Sequence, residues 1–441
     1  MAILTRRRLQ SMVNDLSVSE LAQDKRRDLV RRLNDAKRPE QALGAEYELL
    51  VLWMLRESGE LEIEPEWCAG NSRPDGYSEG TFMDGRGEIF EVTAISDGRM
   101  KEEDSMRAAS QRLVEAANKI KKGSGRNLYF NYLEEWESIE GRRVRVRQIP
   151  SDLKITPYIE WGITELLRKT DERPVVRLKE GGLDVAIERK AQKQNALFNF
   201  HSSVPAEAKS LTDNPIYETL QRKRIQLRGA SDDCRKVIWL CDGGADLLLA
   251  CGKQRLGTRG ITAEQIIENF LNQYPEIDLV CVLSAQHSEH FLGRREEKWW
   301  QLTLLATEDV RPLVNEAFLN RIVSNLPKPR FSGYQARELV LQRAYAPQAI
   351  GWYSGVSYRS VNNEGSIEVS ARLVIDLLAR RITPQQFSYF MGDRDGENIF
   401  SRLLDTGITF SDVKFVSGGL DDDDDKIVLH YSKDPAASDF A

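Results

Sequence analysis

Three carboxylates near the start of the chain come from segments that could meet around one divalent cation. Glu46 falls in a predicted helix, Asp75 at a junction between a turn and a strand, and Glu91 in a predicted strand. Carboxylate oxygens are the hard ligands that Mg²⁺ takes in proteins. A bound Mg²⁺ polarises a phosphate and lowers the pKa of an attacking water. The chemistry that these residues suggest is therefore metal-assisted hydrolysis.

A helix over residues 42–58 carries the first of these acids. Leu43, Glu46, Leu50 and Trp53 follow the three-four-three spacing of one apolar stripe. Glu46 is therefore predicted on a buried face, and a buried carboxylate is unfavourable unless it is paired, protonated or bound to metal.

A turn and a strand position the other two acids. Pro74 fixes the backbone before Asp75, and Gly76 permits a sharp turn. In the strand over 88–96, alternation places Glu91 and Thr93 on one face. We expect Asp75 and Glu91 to lie side by side at the rim of a two-stranded unit.

This pattern resembles the PD-(D/E)xK nuclease superfamily, which has the restriction-endonuclease-like fold. Pro74-Asp75 matches the first half of the motif, and the run from Glu91 to Thr93 matches the second half with Thr in place of Lys. Glu46 matches the acid that many members carry on the preceding helix. The resemblance implies that Asp75, Glu91 and Glu46 bind Mg²⁺ or Mn²⁺, with the Val92 carbonyl as a further ligand.

Thr93 departs from the family pattern, in which the lysine helps to position or activate the attacking water. Either another group replaces the lysine or the domain is inactive. Some members supply the lysine from the next helix, predicted here over about 102–122, where Lys119 and Lys101 are candidates and Gln111 is a further polar group. The alternative is that Asp75-Gly76 is only a turn, Glu91 a solvated strand residue and Glu46 a paired core acid.

Length and composition place further limits on the chain. Its 441 residues suggest two or three domains, and a net charge of −6 means that nucleic acid would have to bind at local basic patches. The five cysteines include no CxxC pair, which excludes the usual zinc-ribbon signature. Neither a signal peptide nor a run of transmembrane length is visible. We therefore expect a cytoplasmic location without membrane contact.

The order of predicted elements divides the chain into three parts. The pattern over residues 1–40 predicts a helical N-terminal arm that is locally basic. This arm could be solvated, could dock a partner or could contact phosphate. Residues 41–310 predict an α/β, restriction-endonuclease-like domain, a mixed sheet flanked by helices with an insertion at about 134–212. Residues 331–441 predict a small α+β interaction or recognition domain.

Two charged segments lie outside the predicted carboxylate site. Arg143, Arg145 and Arg147 alternate with valines, which predicts a strand with one basic face. That face could follow a phosphate backbone or protect an exposed sheet edge. The acidic run Asp421–Asp425 lies between two strand-like segments and predicts a solvated loop.

These observations lead to one principal function and an alternative. The first is a metal-dependent endonuclease that hydrolyses phosphodiester bonds of DNA. By resemblance, such an enzyme would act in bacterial restriction or anti-phage defence. The alternative is a non-catalytic, nuclease-like subunit that binds DNA or assembles with a protein partner or a second copy. The sequence does not specify the target sequence, its strandedness, DNA against RNA or the oligomeric state.

Overall fold

A computed structural model gives the architecture. It describes residues 2–16, 22–35, 38–68, 73–97, 103–139, 142–147, 149–150, 152–190, 208, 210–231, 233–253, 260–288, 297–345, 351–361, 364–392, 399–405 and 407–433. The helices are α1 (Arg6–Leu16), α2 (Gln23–Leu33), α3 (Pro39–Leu55), α4 (Glu103–Ile120), α5 (Pro157–Arg168), α6 (Pro215–Leu227), α7 (Asp246–Leu249), α8 (Ala263–Gln273), α9 (Glu316–Ser324), α10 (Gly333–Tyr345), α11 (Ala371–Leu378), α12 (Pro384–Phe390) and α13 (Ile399–Asp405). The strands are β1 (Leu61–Ile63), β2 (Gly76–Ser78), β3 (Glu88–Ile95), β4 (Leu128–Tyr132), β5 (Glu134–Ile139), β6 (Arg142–Arg147), β7 (Val175–Glu180), β8 (Leu183–Arg189), β9 (Arg235–Asp242), β10 (Leu279–Ser288), β11 (Glu297–Ala306), β12 (Ser357–Val361), β13 (Glu364–Ser370), β14 (Ile408–Val416) and β15 (Lys426–Lys433).

The central feature is a mixed sheet of six strands in the order β1-β2-β3-β9-β10-β11. Its inner strands β3, β9 and β10 run parallel, whereas β1, β2 and β11 pair antiparallel at the two sides. Strands β9 and β10 are almost entirely buried, as expected for parallel strands covered on both faces. The predicted α/β class with a helix-flanked mixed sheet is confirmed.

Helices cover the two faces of this sheet with separate apolar cores. On one face, residues of α1, α3, α9 and α10 pack against Phe90, Val92 and Trp239. On the other face, residues of α6, α7 and α8 pack against Ile89 and Ile238. The alternation along β3 therefore assigns Glu91 to the face covered by α6, since neighbours in a strand point to opposite sides.

The N-terminal segment differs from the predicted solvated arm. Leu9, Met12, Val13 and Leu16 of α1 are buried in the same core as α3. The apolar side of α1 has the helical spacing that buries one stripe, and α3 offers a surface for it. Residues 2–16 are therefore part of the main domain.

The insertion begins earlier in the chain than predicted. Strand β4 does not join the central sheet but forms a three-stranded sheet in the order β4-β8-β7. This sheet shares a core with α4 and α5, including Met106, Leu113, Phe130 and Ile163. The inserted unit thus starts at α4 instead of at residue 134.

The predicted basic strand exists as β6, paired with β5, while the side chains of Arg143, Arg145 and Arg147 lie outside the described residues.

The C-terminal unit begins later than the predicted boundary at residue 331. Helix α10 belongs to the main core through Ala336 and Val340. The sheet β12-β13-β15-β14 follows, and α11, α12 and α13 contribute to its separate core. This part is α+β, as predicted.

No helix among the described residues is long and apolar enough to span a membrane.

The acidic run Asp421–Asp425 is not the predicted solvated loop. Asp423 and Asp424 are buried. Arg7 and Arg8 of α1 form ion pairs with the outer aspartates of the run, at 2.6 and 2.8 Å. The run therefore joins the C-terminal unit to α1, and Arg7 and Arg8 of the basic N-terminal segment form their ion pairs within the chain.

Candidate active site

Asp75 and Glu91 lie side by side where the short strand β2 begins beside β3. Gly76 lies opposite Phe90 in the β2–β3 register, and one further step places Asp75 opposite Glu91. The Val92 amide donates to Asp75 Oδ2 at 2.6 Å, which fixes the carboxylate against β3. A Cβ on residue 76 would lie 2.4 Å from Phe90 Cζ, so glycine is required there for the strands to approach. The predicted side-by-side placement of the two acids is present.

A lysine from a distant helix lies between these acids. Lys223 Nζ is 2.5 Å from Glu91 Oε2 and 3.8 Å from Asp75 Oδ2. Helix α6 begins with an Asn214 cap and Pro215 in its first turn, and it buries Leu220 and other apolar residues against β3. Lys223 follows Leu220 by three residues, so it lies on the same side of the helix and its side chain is only 12% exposed.

A third carboxylate, from α3, acts on this group electrostatically. The charges of Asp75 and Lys223 shift the pKa of Glu48 in opposite directions, so Glu48 lies within their field. Arg32 of α2 holds the Glu48 carboxylate with two hydrogen bonds, at 2.5 and 2.7 Å. Such a bidentate pair fixes the orientation of the carboxylate.

Burial and the charges of neighbouring groups shift the pKa values of the ionisable residues in the site. Burial, and then the charge of Glu91, raise the pKa of Asp75 to about 7, although Lys223 opposes the shift. Burial also raises the pKa of Glu91. Burial by itself lowers the pKa of Lys223, but the charges of Asp75 and Glu91 outweigh it and the net shift is upward. The site therefore holds a charged lysine beside two acids whose pKa values are raised, that of Asp75 to about 7.

One oxygen of this site lacks a hydrogen-bond partner. Glu91 is 1% exposed, and its Oε1 accepts no hydrogen bond while Oε2 accepts from Lys223. Mg²⁺ commonly takes one or two carboxylates and completes its shell with water and substrate phosphate. Asp75 and Glu91 meet that requirement. Within the described ranges, however, no group of three or more His, Cys, Asp or Glu side chains is arranged to hold a metal.

Glu46 does not join this site, which corrects the prediction for that residue. The amides of Ala2 and Ile3 donate to its two carboxylate oxygens at 2.7 and 2.9 Å. Two residues along an α-helix turn the side chain by about 200°, so Glu48 points toward the site when Glu46 points away. Glu46 is a buried anchor for the start of the chain.

The other residues predicted for the site lie partly inside and partly outside this group. Thr93 lies on the same strand face as Glu91 and is partly buried. Lys119 is exposed on α4, whose buried side belongs to the core of the insertion. Lys101 lies outside the described residues. Val92 provides its amide to Asp75, and the ligand role of its carbonyl stays a prediction.

The sequence pattern did not indicate Lys223, because the family resemblance points only to the helix after β3. Its signal was present: Ile216, Leu220, Lys223 and Leu227 follow one helical stripe. A lysine on an apolar stripe needs a buried partner. The sequence does not say which of the chain's acids that partner is.

We expect Glu46→Gln to destabilise the protein without changing the site. Removing the charge weakens the hydrogen bonds from the amides of residues 2–4. The expected loss is about 2 kcal/mol in the free energy of unfolding, measured by urea denaturation. If the site binds Mg²⁺, the affinity measured by calorimetry should stay within error of wild type, and a fall in that affinity would show that Glu46 acts at the site.

Comparison with known proteins assigns no family. No protein-family model matches the chain, and searches of curated proteins and of solved structures find no significant match. The function must therefore be argued from the geometry of the site.

Proposed function

We propose that this protein is a metal-dependent nuclease with a restriction-endonuclease-like core, and that it hydrolyses phosphodiester bonds of DNA. The observation that carries the proposal is Lys223, which comes to Asp75 and Glu91 and supplies the cation that Thr93 lacks. An antiparallel β2–β3 pair, preceded by α3 and continued by parallel strands, agrees with that fold. The setting in restriction or phage defence rests on resemblance alone.

The donor set fits a Mg²⁺ or Mn²⁺ ion. Asp75 and Glu91 would hold the ion, and Glu91 Oε1, which has no hydrogen-bond partner, is available to such a ligand. Glu48 would add negative charge nearby. When bound, the ion would polarise the scissile phosphate and make water a stronger nucleophile.

The protein's own groups would position the reactants. Lys223 holds Glu91 in one orientation and places a positive charge where a phosphate would approach. The Val92 amide fixes Asp75, and Arg32 fixes Glu48. Because these contacts exist before substrate arrives, little reorganisation would be needed during the reaction.

One observation favours a second candidate, a non-catalytic nuclease-like module. Lys223 already gives the two acids a counter-charge, so the group is compatible with a purely structural ion pair. In that case the protein would bind DNA or a partner through other surfaces. DNA binding without a metal requirement, weakened by salt, would favour this reading.

The first test is cleavage of supercoiled plasmid and of single-stranded DNA with Mg²⁺ or Mn²⁺, with EDTA as the control. We expect cleavage that rises with pH up to about 7, because protons compete with metal for Asp75 below its pKa of about 7. If that one group governs the rate, the slope is about tenfold per pH unit below 7, and the rate levels off above it.

Two results would contradict the nuclease proposal. The first is no cleavage of any DNA or RNA substrate with either metal while the protein binds DNA. The second is cleavage that EDTA leaves unchanged. RNA cleavage without DNA cleavage would keep the site but correct the substrate.

A further inference from the structure

The edge strand β14 leaves an apolar surface uncovered in the C-terminal unit. Side chains directly opposite in a sheet share a face. Val413 therefore continues the row of Ile367 and Leu429, and Phe415 continues the row formed by β13 and β15. Ile367 is fully buried, whereas Val413 and Phe415 are 61% and 64% exposed.

Helix α13 explains why only part of the strand is covered. Phe400 of α13 packs against Phe410 with ring centroids 5.7 Å apart, so the first third of β14 is partly buried. The register shifts between Phe410 and Asp412, and beyond that shift the strand is exposed through Val416. In the part of the chain that the structure describes, β14 pairs only with β15. Its other edge presents backbone groups that can take another strand.

The charges on β14 select the partner. Asp412 and Lys414 lie two residues apart on the outer face, with a 3.2 Å ion pair between them. When two copies of this strand pair antiparallel around Val413, Asp412 of each lies opposite Lys414 of the other. Centring the pair on Asp412 or on Lys414 would instead oppose like charges.

We propose that β14 pairs with β14 of a second copy, which makes the protein a two-fold symmetric dimer with a sheet continuous across both C-terminal units. Val413 lies on the two-fold axis, and Phe415 of each copy meets the other chain beside it. Such self-complementary pairing is the usual form of a two-fold interface, and strand addition at an open edge is a common recognition mode. This inference does not depend on the nuclease proposal.

Exchanging the charges in the 441-residue chain tests the proposal, with the mass measured by sedimentation equilibrium. Asp412→Lys and Lys414→Asp should each halve the measured mass, because each places two like-charged pairs across the axis. The double variant D412K/K414D restores opposite charges and should restore the dimer. Circular dichroism checks folding, and Lys298→Asp on β11 is a control that should leave the mass unchanged.

Cross-linking locates the axis independently. Val413→Cys should form a disulfide-linked dimer under mild oxidation, because the residue would face its own symmetry mate. Val416→Cys, which would lie opposite Phe410, should cross-link far less. A monomeric wild type at its highest soluble concentration would overturn the proposal. So would a dimer whose mass is unchanged in both single variants.

Discussion

Replacing Glu91 by Gln should abolish metal-dependent DNA cleavage. The substitution keeps the shape of the side chain but removes the charge and weakens the unpartnered oxygen that we assign to the metal. Losing one metal carboxylate should raise the barrier by about 4 kcal/mol, roughly a thousandfold in rate. Asp75→Asn should have an effect of the same order. The measurement is single-turnover nicking of supercoiled plasmid at saturating Mg²⁺.

Glu88 of the same strand offers a matched control for Glu91. It is also 1% exposed and its Oε2 likewise has no hydrogen-bond partner, but its Oε1 accepts from Ser78 and Thr81, and the side chain lies on the other face of β3, away from Lys223. Glu88→Gln should therefore cleave DNA within about twofold of wild type. Equal losses in E88Q and E91Q would mean that strand β3 had been disturbed and that Glu91 has no special role.

The second large effect is expected for Lys223→Met. Removing a preorganised cation beside the reacting phosphate should lower the cleavage rate by about a hundredfold or more. Lys119→Met is the matched control, because Lys119 is one of the two lysines that the family resemblance suggested and it is exposed on α4. We expect K119M to retain full activity. Loss in K119M with retention in K223M would reverse the assignment.

Lys223→Met should also change how stability depends on pH. Without the lysine, Asp75 and Glu91 lose their counter-charge, and breaking such a buried pair commonly costs about 3–5 kcal/mol. Because the pKa of each acid is already raised, both can take up protons in the folded state at low pH. The deficit against wild type should therefore be small near pH 5 and grow as the pH rises through about 7.

Stability and cleavage rate of the Lys223→Arg variant distinguish a purely structural ion pair from a lysine that acts on the substrate. Lys223→Arg preserves the charge and should recover stability under either reading. If Lys223 positions a reacting phosphate, the changed geometry of the guanidinium should leave the cleavage rate well below wild type. Recovery of stability with no cleavage by any variant or by wild type would support the non-catalytic candidate.

The placement of Asp75 and Glu91 follows from short-range rules. Pro74 and Gly76 favour a tight entry into β2, and strand alternation fixes the face of Glu91. The register between β2 and β3 then brings the acids together within one hairpin-like unit. Few distant contacts are needed for this arrangement, so the sequence pattern was sufficient to predict it.

The apolar stripe on α3 led to the wrong prediction for Glu46 because this helix is buried on most of its surface. Glu46, Tyr47, Leu49 and Leu50 are all nearly inaccessible, since α1, α2, α10 and the sheet surround the helix. An apolar stripe distinguishes inside from outside only when one side of a helix faces water. Packing therefore decided which acid points to the site: Glu46 accepts from the amides near the start of the chain, and Glu48 pairs with Arg32 within the electrostatic field of Asp75 and Lys223.

By itself, the sequence determined the α/β class, the main elements and the pairing of Asp75 with Glu91, because local periodicity and turn chemistry fix these features. Only the tertiary structure decided that Lys223 completes the group and that the acidic run Asp421–Asp425 joins α1. Both are contacts between segments far apart in the chain. The charge of a residue shows that it needs a partner, but only the folded packing of α6 against β3 shows which partner it has.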